Sequence, residues 1–234
     1  MADTLNVLRQ EQKYRISFLQ ASYIGSRLGN VLSMDKHNCG NEGYMVRSLY
    51  FDTVDDTDFF EKESGIEYRK KIRLRVYSPS DTTVKLEMKE KRGNYQRKRS
   101  LLVPKEDALQ MISCNFQFLL SYQHSLAEEF YYLLTQEVYI PRCIVQYHRI
   151  AFAAPANDTR ITLDTQLQAC EHSFDIFAKE PGMYPVGGYD DVTLEVKFNN
   201  FLFSYVQDLL NCCNKNPVAY SKYYMSRSIS YNGV

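Results

Sequence analysis

IEYRKKIRLRVYSPSDTTVKLEMKEKRGNYQRKRSLL, residues 66–102, is the stretch whose reading decides the fold. Two turn signals, Ser78-Pro79-Ser80-Asp81 and Gly93-Asn94, divide it into three consecutive strands. Successive side chains of a strand point to opposite faces, so parity sorts them. Ile72, Leu74 and Val76 share one face, and Lys71, Arg73 and Arg75 share the other. In the second strand Val84, Leu86 and Met88 oppose Lys85, Glu87, Lys89 and Lys91. In the third, Tyr95, Arg97 and Arg99 oppose Gln96, Lys98 and Ser100. Three neighbouring strands therefore offer one apolar face and one face crowded with cations.

Twelve of the chain's 28 Lys and Arg fall in this stretch, against the four acids Glu67, Asp81, Glu87 and Glu90, a local charge of +8. Like charges opposed across a sheet destabilise it. Such a face either meets a polyanion or is the solvated side of an ordinary antiparallel sheet, and the stretch alone allows both. The whole chain carries 28 acids and no net charge, so the basic stretch is a local focus. That argues against a general nucleic-acid coat and for a confined anionic site.

At 234 residues and 44% hydrophobic, the chain can bury a sizeable core. Cys39, Cys114, Cys143, Cys170, Cys212 and Cys213 form no CxxC pair and no disulfide framework, and a bond between the adjacent Cys212 and Cys213 is strained. Free thiols in a reducing, cytoplasmic setting are expected. The first residues lack the apolar core of a signal peptide, and no run approaches the roughly 18 apolar residues of a membrane span. His37, His124 and His172 form no metal spacing, and His148 falls on an apolar parity.

Outward from the basic strands, the pattern continues. Residues 9–16 alternate, with Arg9, Glu11, Lys13 and Arg15 on one face, and Ser17 is placed to cap a helix through Leu28. Residues 44–52 read as a strand and 55–63 as a short acidic helix ending near Gly65. Helices follow at 105–112, opening at Pro104, and at 125–135 with Leu126, Phe130, Leu133 and Leu134 at helical spacing. Strands are expected at 142–153, 160–164, 167–174 and 191–198, a Pro/Gly loop at 180–188, and a helix at 201–210. The tail from Ala219 to Tyr224 reads as a basic, Tyr-rich segment.

If helices cover the apolar faces, the charged faces converge, and about eight antiparallel strands close a barrel wide enough for a small ligand. The expected fold is α+β, a closed eight-stranded antiparallel barrel with helices outside, as one domain over residues 1–234. Arg suits bidentate phosphate contacts and Lys a point charge.

The chain resembles the VTC (vacuolar transporter chaperone) domain, a branch of the triphosphate tunnel metalloenzymes. The resemblance is carried in order by RQEQKY (9–14), SLYFDT (48–53), KIRLR (71–75), LEMK (86–89), QRKR (96–99), QYHRIAF (146–152), RITLD (160–164), LEVKF (194–198) and SKY (221–223). It implies an eight-stranded tunnel and, for catalytic members, polyphosphate synthesis from ATP with Mn²⁺ or Mg²⁺. By motif, Lys13, Arg73, Arg75, Lys89, Arg97, Arg149 and Lys222 would hold phosphates, Tyr147 would donate a hydrogen bond, and Glu195 would be the principal metal ligand. Among these Arg73, Arg75, Lys89, Arg149 and Lys222 are expected to be catalytic. Lys71, Arg99 and Lys197 join the substrate-binding set. Glu195 reads as a metal ligand or the salt-bridge partner of a nearby lysine, and Glu11 and Glu87 as further ligands or charge spacers.

Arg9-x-Glu11-x-Lys13 stands where classical tunnel triphosphatases carry Glu-x-Glu-x-Lys, which weakens a hydrolase assignment. The phosphate-sensing domain and membrane segments of the eukaryotic complex have no counterpart in these residues, so membrane coupling is expected to lie with a partner protein. Three functions follow: a metal-dependent polyphosphate polymerase using ATP, a tri- or polyphosphatase, or a non-catalytic polyphosphate-binding module. Nucleic acid is not an expected partner.

Overall fold

Asp81 makes the first expected turn: its Oδ2 accepts the backbone N–H groups of Tyr77 at 2.7 Å and Ser78 at 3.1 Å, reversing the chain around Pro79. At the second turn Gly93 has φ +57°, a left-handed conformation that glycine adopts without the strain a side chain brings. The chain, described by a computed structural model over residues 9–35, 38, 42–93, 95–211 and 217–232, thus carries three strands where parity put them. They are β4 (Tyr68–Val76), β5 (Thr83–Arg92) and β6 (Tyr95–Pro104). His37, Cys39, Asn94, Cys212 and Cys213 lie outside the described residues.

Before them come β1 (Arg9–Ser17), α1 (Phe18–Gly29), β2 (Ser33–Met34), β3 (Tyr44–Thr53) and α2 (Thr57–Glu63). After them come α3 (Lys105–Ile112), α4 (Ser125–Gln136), β7 (Tyr139–Ala154), β8 (Thr159–Cys170), β9 (Tyr184–Pro185), β10 (Asp191–Asn199), α5 (Ser204–Leu210) and α6 (Lys222–Asn232). Ser17 caps α1 in a reciprocal box, its Oγ accepting from Gln20 N while Gln20 Oε1 accepts from Ser17 N. The strands expected at 160–164 and 167–174 are one strand, β8. Gln166, at φ 53°, absorbs the irregularity inside it, and the strand ends at Cys170.

The chain folds as two compact units. The first comprises Met1–Met45, Tyr147–Leu167 and Gly187–Tyr220. Here β10 lies between β1 and β8, antiparallel to both. Tyr14, Ile16, Ile161, Leu163, Leu194, Val196 and Phe198 bury one face of this sheet with Ala21, Ile24 and Leu28 of α1 and Val206 and Leu210 of α5. The opposite parity carries Glu11, Lys13, Thr162, Asp164, Glu195 and Lys197.

The second unit comprises Val46–Gln146, Gln168–Val186 and Ser221–Val234. Its antiparallel order is β3-β4-β5-β6. Ile72, Leu74, Val76, Val84, Leu86, Met88 and Val103 form the apolar face and pack with Ala108 and Met111 of α3 and Ala127, Phe130 and Leu134 of α4. Truncating one such fully buried leucine to alanine costs about 2–5 kcal/mol, so this packing fixes which face of β4–β6 is left for charge.

The hydrogen-bonded order of the whole antiparallel sheet is β1-β10-β8-β7-β3-β4-β5-β6, with β2 on β7 and β9 on β8. The fold is α+β as expected, but among the described residues no β1–β6 pairing closes the sheet into the expected barrel: these strands stand at the ends of that order. At β1 the outer edge is taken by Pro217 and Val218, through a bridge from Tyr14 to Pro217 and a 2.9 Å bond from Val218 N to Lys13 O. Proline has no N–H to extend a ladder, so pairing stops there. Among the described residues no helix is long and apolar enough to cross a membrane.

Candidate functional site

Register places a glutamate in the middle of each unit's charged face. In the second unit Glu87 has Arg73 directly across on β4 and Ser100 directly across on β6. Arg73 Nε and Nη2 each lie 2.8 Å from Glu87 Oε2, and Nη1 donates to Tyr50 Oη at 2.8 Å. Arg75 Nη1 lies 3.7 Å from the same carboxylate oxygen, while its Nε donates to Ser48 Oγ. Lys98 pairs with Oε1. Glu87 is 1% exposed. Burial alone would raise its pKa, but Arg73, Arg75 and Lys98 outweigh that and hold it well below the usual carboxylate range. Burial, with Arg73 and Arg75 nearby, lowers the Lys98 ammonium.

One carboxylate cannot neutralise three cations. The register adds more: Lys85 opposite Arg75, and Lys89 opposite both Lys71 and Lys98. This face is strongly positive in a half-buried setting, where charge interacts more strongly than in water.

The start of α6 lies on the same network. Lys71 Nζ donates to Ser221 Oγ. Tyr223 stacks on Tyr50, ring centroids 4.9 Å apart, and its hydroxyl donates to Asp52 Oδ2 at 2.6 Å. Asp52 in turn accepts the N–H groups of Asp58 and Phe59 at the start of α2. Farther along α6, Arg227 reaches Asp56 at 2.7 Å and Glu171 at 3.1 Å, and Phe59 stacks against both Tyr224 and Tyr231. This anchoring brings Lys222, the first residue of α6, to the end of the helix next to Ser221.

In the first unit Glu195 has Lys13 directly across on β1 and Thr162 directly across on β8. Lys197 Nζ lies 2.7 Å from Glu195 Oε1, and Arg149 Nη2 lies 3.7 Å from Oε2. The Glu11 carboxyl is within hydrogen-bond reach of Glu195, and Lys13 Nζ lies 2.9 Å from Glu11 Oε1. Arg149 forks onto Asp164, Nε to Oδ1 at 2.6 Å and Nη2 to Oδ2 at 2.7 Å, with its guanidinium 5.2 Å over the Tyr147 ring. Burial works to raise the Glu195 pKa, but Lys197, Lys13 and Arg149, with the Glu11 contact, hold it well below the usual carboxylate range. Burial likewise opposes the Arg149 charge, which Asp164 more than restores.

These strands and sites belong to a sequence whose residues 8–231 match the VTC domain. The chain belongs to the VTC domain family. No curated protein matches this VTC domain. Among solved structures it is similar to a Hippeastrum protein provisionally assigned as an adenylyl cyclase and described by a dominant triphosphatase activity. That match has a TM-score of 0.57 at 12% identity and covers 93% of this chain and 94% of that one. It is also similar to a Bacillus halodurans protein provisionally assigned as an adenylate cyclase, with a TM-score of 0.51 at 12% identity over 91% and 96% of the two chains. At that identity the likeness shows a shared fold.

Within this VTC domain, the structure gathers Lys71, Arg73, Arg75, Glu87 and Lys89 on one face of the second unit, and Glu11, Lys13, Arg149, Glu195 and Lys197 on one face of the first, with Tyr147 beneath Arg149. It does not bring Arg97 and Arg99 to the Glu87 face. Arg99 sits opposite Met88 on the helix-covered side, where it binds Glu90 and Glu129 of α4, and Arg97 is opposite Glu90. Lys98 takes their place. Parity already separated Lys98 from Arg97 and Arg99, but the motif pointed to its arginines. Asp164, the partner of Arg149, lay within the RITLD motif but was assigned no role there.

Among the described residues no group of three or more Asp, Glu, His or Cys is disposed to hold a metal. Glu87 belongs to the other unit from Glu195, and there three cations crowd its carboxylate. The Glu11–Glu195 pair nevertheless suits Mg²⁺ or Mn²⁺. A small hard cation takes one or two carboxylates and leaves its other positions to water and substrate phosphates.

Proposed function

We propose that this VTC domain, acting as one functional domain over residues 1–234, is a divalent-metal-dependent phosphotransferase that passes the ATP γ-phosphate to the end of a polyphosphate chain. The observation that carries the reading is the Glu87 cluster, in which Arg73, Arg75 and Lys98 converge on one buried acid and are backed in register by Lys71, Lys85 and Lys89. A face of that charge is at its most stable with a polyanion on it. Phosphoryl transfer asks the protein for alignment and charge cancellation rather than covalent work. Arg73 and Arg75 offer forked donors to non-bridging oxygens, while Lys71, Lys89, Lys98 and Lys222 supply point charges. No protein nucleophile is needed, because a terminal phosphate oxygen attacks. In the first unit Lys13, Lys197 and Arg149 bind phosphate oxygens, and Tyr147 supports the Arg149 guanidinium. Glu195 and Glu11 would hold Mg²⁺ or Mn²⁺, which when bound neutralises phosphate charge.

A second reading, hydrolysis of a triphosphate, is favoured by the triphosphatase description of the Hippeastrum protein. Arg9 in place of a glutamate two residues before Glu11 counts against it, since one hydrolytic carboxylate is then missing. Incubation with ATP and Mn²⁺ or Mg²⁺, with the products resolved by length, separates the readings. Long phosphate chains are expected. Orthophosphate alone would establish the hydrolase, and tight polyphosphate binding without turnover a binding module.

A further inference from the structure

Thr162 is a side chain of the Glu195 face that the charge pattern does not explain. It is 4% exposed, and its hydroxyl oxygen is buried without a hydrogen-bond partner. A buried hydroxyl in that state costs stability, and the great majority of such groups are satisfied. Valine has the same shape and would remove the cost. Its neighbours do not use it: Asp164, two residues along the same face, gives both oxygens to Arg149, and Lys197 is spent on Glu195. Thr162 is the direct register partner of Glu195. In an antiparallel pair this sets the two Cβ atoms about 4.5–5.5 Å apart on one face.

We infer that the Thr162 hydroxyl is a third oxygen ligand, beside Glu195 and Glu11, for a divalent cation. A hydroxyl is a hard, neutral donor, so it adds coordination without disturbing a cluster whose three carboxylates (Glu11, Asp164, Glu195) already balance three cations (Lys13, Lys197, Arg149). Threonine and serine hydroxyls take Mg²⁺ in this way in phosphate-binding loops. Lys13 and Lys197 are 24% and 31% exposed at their side chains, so both can turn from the carboxylates to phosphate when the cation arrives. The inference rests on the metal-dependent reading above.

The test is Mn²⁺ titration of the full chain, followed by electron paramagnetic resonance, with and without tripolyphosphate, alongside thermal melting. Thr162→Val is expected to weaken Mn²⁺ affinity about tenfold or more while the apo melting temperature holds or rises, and Thr162→Ser to keep wild-type affinity. Thr162→Val binding Mn²⁺ as tightly as wild type overturns the inference and leaves the metal-dependent reading intact. So does a loss of affinity in both variants that tracks a lower melting temperature, which marks a packing role. Wild-type protein that takes up no Mn²⁺ overturns the metal-dependent reading, and the ligand role of Thr162 with it.

Discussion

Glu195 in the first unit and Glu87 in the second occupy the same kind of place. Each is nearly buried on a middle strand, with a cation directly across on one side and a hydroxyl residue directly across on the other: Lys13 and Thr162 for Glu195, Arg73 and Ser100 for Glu87. What surrounds them differs. Glu195 shares its cluster with Glu11 and Asp164, and the charges balance. Glu87 is shared by three cations, Arg73, Arg75 and Lys98. A balanced, carboxylate-rich cluster accepts a cation without a large electrostatic cost, whereas an unbalanced basic one is completed by an anion. On the proposed function, one strand motif, varied in its neighbours, serves a cation in one unit and phosphate in the other.

The comparison is broken most forcefully by neutralising each glutamate in turn. Glu87→Gln takes the shared acid from buried Arg75, partly buried Arg73 and exposed Lys98, and is expected to cost about 3–5 kcal/mol. Tripolyphosphate should restore much of that, read as a rise in the urea midpoint. Glu195→Gln leaves Glu11 and Asp164 to balance its cluster, so its apo stability falls less and tripolyphosphate alone does not rescue it. Its loss appears instead in turnover, by about 10²–10³ in kcat if one charge-stabilising group is removed. Equal rescue of both variants by tripolyphosphate would erase the distinction between the sites.

Acid sharpens the contrast next. Glu87 and Glu195 both have folded pKa values below the ordinary glutamate value of about 4.3. Their contribution is therefore present above that pH and lost as pH falls through the lower folded values. The second unit also holds Asp58, fully buried at the start of α2, where burial and then Asp52 raise its pKa well above normal. Its ionisation penalises the fold at neutral pH, and the penalty lifts as pH falls through the raised value toward about 3.9. Urea denaturation from pH 7 to pH 3 should show stability rising first and then falling. Asp58→Asn should shrink the rise, leaving the smaller share from Asp52 and Glu61, whose pKa values burial also raises, and keep the acid loss.

A smaller effect separates the two parities of β6. Lys98→Ala, on the Glu87 face, is expected to weaken tripolyphosphate binding about tenfold, or about 1.4 kcal/mol. Arg97→Ala, opposite Glu90, should leave it unchanged in calorimetry. If Arg97→Ala were the damaging substitution, the face assignment of β6 would be wrong.

Lys98 also marks where sequence reasoning was strong and where it was not. The alternation from Ile72 to Met88 exposed both the apolar face and the cationic one, because a period of two survives wherever one side of a sheet is buried. Ser17 as a helix cap was equally readable. The open strand order was not, because it depends on pairings made far along the chain, as in the bridge from Tyr14 to Pro217 some 200 residues away in sequence. Nor was α6 foreseen. Helices reveal themselves by an apolar stripe, but this one buries Tyr223, Ser226 and Arg227, and polar partners such as Asp52 and Asp56 receive it.

That polar seat supplies the smallest and most selective test. Tyr223→Phe keeps the ring stacked on Tyr50 and deletes only the hydroxyl bonded to Asp52 at 2.6 Å. Asp52 keeps its three backbone N–H donors from Thr53, Asp58 and Phe59, so α2 stays capped. The expected cost to folding is that of one hydrogen bond to a charged group, about 1.5–3 kcal/mol at most. The informative quantity is phosphate affinity. Tyr50 accepts from Arg73 while stacking on Tyr223, and Lys71 donates to Ser221 just before α6. Loosening the start of α6 should therefore weaken tripolyphosphate binding a few-fold in the second unit and leave Mn²⁺ binding at Glu195 untouched. A matching loss of Mn²⁺ affinity would mean that the two clusters do not respond separately, and that their division into a cation site and a phosphate site is too sharp.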